Sequence, residues 1–251
     1  MKVKILFFAL LFSFPIAAAP ARTGASPGSL LGISLDPSKN GGGDLGVPMQ
    51  IVLLLGMLTL LPAIVMSITP FLRITLVLHF LRHALGTQSA PSNQVLVGLA
   101  LFLTLPIVQP VASEINDKAW APMTRGELSQ EQAFEEGAKP LRRFLARYAR
   151  EKDVRLFVEI SKTPAPRNAD ELDLKILIPA YIISELKTGF QIGAVLFLPF
   201  LIIDLVVAAV TLSVGMVQLP PVMLSAPFKI LLFVLVDGWN LLVGSLVKSF
   251  Y

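Results

Sequence analysis

No cysteine occurs in the 251-residue chain. That excludes a disulfide framework and a thiolate metal site, and it fits a chain partly exposed to an oxidising compartment. Charge is also scarce: 15% of residues are Asp, Glu, Lys or Arg, where a soluble domain carries about 25%. With 54% hydrophobic residues and a mean hydropathy of +0.72, too little polar surface remains to cover a globule. Most of the excess apolar area must face lipid or other proteins. The chain therefore reads as a membrane protein.

The motifs of chemistry are missing as well. There is no Ser/His/Asp series, no phosphate-cradling glycine loop and no nucleotide motif, so neither an enzyme nor a cofactor is expected. The two histidines, His79 and His83, lie at i, i+4, a spacing that can present two imidazoles to zinc. The stretch HFLRH lacks a zincin glutamate, however, and no third histidine exists to complete a site. No internal repeat at a solenoid period is visible, so any symmetry must come from copies of the chain.

What is present begins with MKVKILFFALLFSFPIAAAPA. Lys2 and Lys4 form a basic segment, residues 5–16 a short apolar run, and small residues then give two Ala-x-Ala sites. About 20 apolar residues are needed to span a bilayer core of ~30 Å, so this run is too short. It reads as a signal peptide, residues 1–21, cleaved after Ala21, because cleavage after Ala19 would place Pro20 first. The alternative is a retained first span. Residues 22–48, rich in Gly, Ser and Pro, read as a flexible N-terminal arm.

Four apolar runs follow, at 51–71, 95–112, 176–217 and 222–247. They divide the rest of the chain into a first helical hairpin, 49–112, with a polar loop at 82–94, and a second, 176–251, with a loop at 215–221. Between them, residues 113–175 hold 12 of the 21 basic and 12 of the 17 acidic residues. Leu141, Phe144, Leu145 and Tyr148 recur there at i, i+3, i+4, i+7, the pattern of an amphipathic helix. Arginines interleave with its aromatics, but the balancing acids argue against nucleic acid. A mature N-terminus outside the cytoplasm puts Arg73 to His83 inside and the charged region in the periplasm. The loop at 215–221 then becomes a cytoplasmic tip.

The last two runs carry Glu185, Lys187, Asp204, Lys229 and Asp237. Each charge costs ~2.5–3.5 kcal/mol at a bilayer centre, so five facing lipid would cost about 12–17 kcal/mol. They must face protein or water, or the hairpins stand outside lipid. On an ideal helix Asp237 lies ~12 Å along and about 80° around from Lys229, which excludes a pair between them. Glu185 and Asp204 remain as candidate partners of Lys229, in the same chain or a neighbouring copy. Such charges could be a proton relay or gate, or the neutralisation of a packed interface. Asp204 and Asp237 are expected to be buried. Gly189 and Gly193 form a GxxxG that permits close helix contact. Nine prolines in or beside the runs each remove a backbone bond, which favours helices buried in protein or lining water.

Four blocks carry a resemblance: LRHALGTQSAPSNQVLVGLALFLTLPIVQP (81–110), ISELKTGFQIGAVLFLPFLIIDLVV (183–207), GMVQLPPVMLSAPFK (215–229) and ILLFVLVDGWNLLVGSLVKSFY (230–251). Over most of residues 51–251 the chain resembles the FliP/SctR family of type III secretion export-gate proteins. The signal peptide and the ending DGWNLLVGSL favour its flagellar branch. The resemblance implies an all-α membrane-type protein of Pro-broken helical hairpins with an α-helical periplasmic insertion, assembling into a ring. It implies a non-enzymatic pore subunit of the inner membrane and flagellar basal body, present as a homo-pentamer with FliQ and FliR, beside FlhA and FlhB. Its cargo would be unfolded flagellar export substrates. It also implies hairpins raised largely out of the bilayer on the periplasmic side, and an intersubunit charge pair of Glu185 with Lys229. In the family a run of methionines often lines the constriction at the loop of the second hairpin. Here Met216, Val217 and Gln218 occupy it, a stiffer and more polar set than methionines, which are unbranched and adaptable. The competing class is a proton-coupled membrane transporter using intramembrane carboxylates.

Overall fold

The computed structural model describes residues 47–87, 90–162, 172–215 and 220–251. The signal peptide with Ala21, nearly all of the arm, and the constriction residues Met216, Val217 and Gln218 lie outside the described residues. Among the described residues the fold is all-α, with no strand. Eight helices follow one another: α1 (Val47–Ser67), α2 (Phe71–Ala84), α3 (Asn93–Ile115), α4 (Gln130–Tyr148), α5 (Glu151–Ser161), α6 (Leu174–Ser213), α7 (Pro221–Leu235) and α8 (Gly238–Lys248). Helix α3 runs on through a π-helical turn, Asn116–Trp120, into Ala121–Thr124. The apolar span and the start of the charged region thus share one helix of 32 residues.

The described chain falls into two units that part between Thr59 and Leu60. In the first, the α1 side chains from Ile51 to Thr59 are exposed. The second unit holds two apolar cores, both served by α6. In one, α2 contributes Ile74, Val77, Leu78 and Leu81 at i, i+3, i+4, i+7. They pack with Leu96, Ala100 and Ile107 of α3, Phe200 of α6, Phe233 of α7, Leu242 and Leu246 of α8, and Phe250. In the other, the amphipathic stripe of α4 (Leu141, Phe144, Leu145, Tyr148) meets Ile176, Leu177 and Tyr181 at the start of α6, with Val154 and Phe157 of α5.

Local chemistry fixes the helix starts. Ser129 and Gln132 form a capping box on α4: the Ser129 hydroxyl accepts from the Gln132 amide at 3.2 Å, and the Gln132 side chain accepts from the Ser129 amide at 3.0 Å. Asp173 caps α6, accepting from the Lys175 amide at 3.0 Å. Prolines 62, 106, 110, 179, 199 and 227 sit inside helices, interrupting backbone bonding within them. Pro70 and Pro220 stand at the N-caps of α2 and α7 instead.

One apolar run departs from its reading as a continuous helix. The stretch 222–247 breaks at Asp237, where α7 and α8 meet at a bend of 67°. Asp237 adopts the left-handed conformation, φ 51, which an Asp tolerates better than a branched residue. The next residue must be small: a Cβ at Gly238 would come 2.3 Å from the Phe233 ring.

Candidate functional site: buried charge clusters around the long helix

Four of the five expected charges, Glu185, Lys187, Asp204 and Lys229, gather along α6 in three clusters. Glu185 is fully buried, and its partner is one that no pattern in the sequence singles out. Arg73 of α2, read from sequence as part of a cytoplasmic patch, is 4% exposed and grips both Glu185 oxygens, with Nε to Oε2 at 2.8 Å. Bidentate geometry of this kind suits guanidinium and carboxylate. The Arg73 guanidinium also lies 4.0 Å from the centre of the Phe250 ring and donates to the Ser249 hydroxyl at 3.1 Å. Tyr148 donates to the Phe250 carbonyl at 2.6 Å. Burial pushes the Tyr148 hydroxyl above the ordinary tyrosine range, so it stays a donor.

Lys229 forms the second cluster. It is 1% exposed and donates to Asp204 Oδ2 at 2.6 Å, while Ser225 donates to Asp204 Oδ1 at 2.5 Å. Of the two carboxylates that sequence leaves open for Lys229, the single chain brings Asp204 to it. Glu185 and Lys229 are not in contact within the chain. Asp204 is partly buried, its side chain 23% exposed. Asp237, expected among the buried charges, is instead exposed. It stands at the α7–α8 bend, where its carboxylate accepts from the Asn240 amide at 3.1 Å.

The third cluster fastens the charged region to α6. Asp153 of α5 is 2% exposed and accepts from the Ser184 hydroxyl at 2.8 Å and from Lys187. The Arg150 amide donates to the Ser184 oxygen at 2.8 Å, and its side chain reaches Gln191 at 2.5 Å. Burial alone would raise the Asp153 pKa. The Lys187 and Ser184 hydrogen bonds, with the Lys187 and Arg150 charges, outweigh it and hold the carboxyl below the usual aspartate range. Sequence reasoning passed over Asp153 because it lies in a segment where acids and bases balance.

The two glycines lie on the face of α6 that meets α2. A Cβ at Gly189 would come 2.7 Å from Leu76 Cδ2, and one at Gly193 2.4 Å from Phe80 Cδ2. Away from α2, the second half of α6 and most of α7 turn apolar side chains outward: Leu198, Leu201, Ile202, Leu205, Val206 and Val210, then Met223, Phe228, Leu231 and Leu235. These two helices lie on either side of residues 216–219 in the chain. By length and composition α3, continued to Thr124, and α6 could each cross a membrane. The number rises to as many as four spans if each bent pair counts as one. Among the described residues no group of His, Cys, Asp and Glu is arranged to hold a metal.

Residues 54–246 match the FliP family. Over 222 residues the chain is 49% identical to the flagellar biosynthetic protein FliP of Pectobacterium carotovorum subsp. carotovorum, covering 88% of this chain and 86% of that one. It is 50% identical over 201 residues to the protein of that name from Bacillus subtilis (strain 168), covering 80% and 91%. To the Treponema pallidum (strain Nichols) protein of the same name it is 42% identical over 264 residues, covering 98% and 96%. The chain thus belongs to the FliP family, and its role lies in the flagellar export apparatus rather than in catalysis.

Proposed function

We propose that the chain is a core pore subunit of the flagellar type III protein export gate, lining the passage of unfolded flagellar subunits across the inner membrane. One observation carries the reading. Helix α6 has 40 residues, about 60 Å at 1.5 Å per residue, roughly twice a ~30 Å bilayer core. Its first half packs on α2, α4 and α5, while its second half and α7 present bare apolar faces. The bare half of α6, about 20 residues or ~30 Å, is no longer than one bilayer core, so lipid covers it before assembly and neighbouring chains cover it within the gate. Further copies of the chain and partner subunits, FliQ and FliR, with FlhA and FlhB beside them, are the natural cover. A homo-pentameric ring in the basal body, raised on the periplasmic side with the charged region 113–175 outward, satisfies this. The loop 215–221 then faces the axis, and Met216, Val217 and Gln218 form the constriction.

The division into signal peptide (1–21), arm (22–48), hairpins (49–112 and 176–251) and periplasmic insertion is part of this proposal. So is the intersubunit pair of Glu185 with Lys229, which requires each residue to leave the partner it holds within the chain. Reversing either charge should impair assembly, and swapping both should recover it. No recovery would mean that Lys229 stays with Asp204. A proton-coupled transporter would need free relay carboxylates, whereas Glu185 and Asp204 are each engaged by a cation. Deleting the gene should abolish export of hook and filament proteins; normal export in the deletion strain would overturn the reading.

A further inference from the structure

We propose that α8 and the three residues after it, Ser249 to Tyr251, form a strap hinged at Asp237–Gly238, whose closure over Arg73 controls access to Glu185. The inference rests on the reading of Glu185 as a residue that a neighbouring copy must reach. Glu185 is fully buried, and nothing outside the chain touches it until its cover moves. Arg73 covers the carboxylate, and Phe250, 3% exposed, covers Arg73.

The strap has the parts of a movable element. Its hinge is the 67° bend at a left-handed Asp237, followed by a glycine whose missing side chain admits the Phe233 ring. Its inner face is Leu242 and Leu246, one turn apart on α8, followed by Phe250 just past the helix end, all buried in the α2–α3 core. Its far end is held by polar bonds to three elements: Arg73 of α2, Tyr148 of α4, and the Pro106 carbonyl of α3, which accepts from the Tyr251 hydroxyl at 3.4 Å. That carbonyl is free because Pro110, four residues on, has no N–H to give it. Each of these bonds uses a side chain of the strap or of the helix it reaches, and none belongs to a helix's backbone ladder. The other elements around Glu185 are held on more sides: α2 packs on both α3 and α6, and α6 serves both cores. Tyr181, one turn before Glu185 on α6, is fully buried, and its hydroxyl has no hydrogen-bond partner among the described residues. A buried hydroxyl left unpaired is costly, and its oxygen would accept from an ammonium entering beside Glu185.

Elements that open locally exchange their amides faster than the core does. In the full chain in membranes, α8 amides should exchange at least about tenfold faster than those of α2 between Ile74 and Leu81. Equal rates would overturn the strap. Access to Glu185 is read separately with a hydrophobic carbodiimide, followed by peptide mass analysis. Phe250→Ala should speed modification of Glu185 by about tenfold and leave that of Asp204 unchanged. An unchanged Glu185 rate, or the same gain at Asp204, would overturn the control of access. Both measurements are made on the chain alone, so a failed charge swap between positions 185 and 229 would defeat the pairing and leave the strap standing.

Discussion

Asp153 illustrates how one residue fastens a soluble segment to an apolar helix. Its carboxylate satisfies a buried hydroxyl and a lysine at once, so Asp153→Ala strands the Ser184 donor. The loss should be about 1–3 kcal/mol, seen as faster proteolysis within α5. The folded pKa of Asp153 is depressed, so its contribution is present above the ordinary aspartate value of 3.8 and disappears as pH falls through the lower folded value. Amide protection in α5 should therefore hold from neutral pH down to about 4 and decline below it. The Lys229–Asp204 pair predicts an asymmetry. Asp204→Ala leaves a buried ammonium, whereas Lys229→Ala leaves a partly exposed carboxylate still bonded to Ser225. Breaking a fully buried pair costs about 3–5 kcal/mol; Asp204→Ala should approach the lower end and exceed Lys229→Ala in a thermal melt of the purified chain.

At the scale of elements, much was legible because it depends on near neighbours in sequence. The apolar runs became helices, the i, i+3, i+4, i+7 stripe of α4 faces a core, and the spacing of Gly189 and Gly193 marks where α2 sits close. Gly193→Ala would drive a methyl into the Phe80 ring, which rests edge-on against Phe190 at 5.4 Å. Gly189→Ala clashes only with the Cδ2 end of the Leu76 side chain, its Cγ and Cβ lying at 3.4 and 3.5 Å. Gly193→Ala should thus cost about 1–3 kcal/mol and Gly189→Ala less, a ranking that denaturation of the two variants checks. The break at Asp237 had its signal in the Asp-Gly pair, a dipeptide that tolerates positive φ and marks turns, but the apolar residues on both sides read as one helix. The choice of partners was not legible. Arg73 and Glu185 lie 112 positions apart, and only the packing of α2 on α6 joins them. Of the two carboxylates that sequence leaves to Lys229, the packing of α7 on α6 delivers Asp204.

For the whole molecule, charge and apolarity are sorted lengthwise along α6. Its first half is tied to the charged region through Asp153 and to the strap through Arg73, and its second half offers apolar surface with α7. A lone soluble protein rarely exposes a contiguous apolar patch beyond a few hundred Å², so these faces belong against lipid, further copies or partner subunits. In the proposed pore, residues 216–218 would sit where the copies converge and would decide whether the closed gate holds ions. The most direct test is the ion conductance of membranes carrying the assembled gate with residues 216–218 replaced by glycine. A pore subunit predicts a leak of small ions absent from the unsubstituted gate; unchanged conductance would contradict a constriction at this loop.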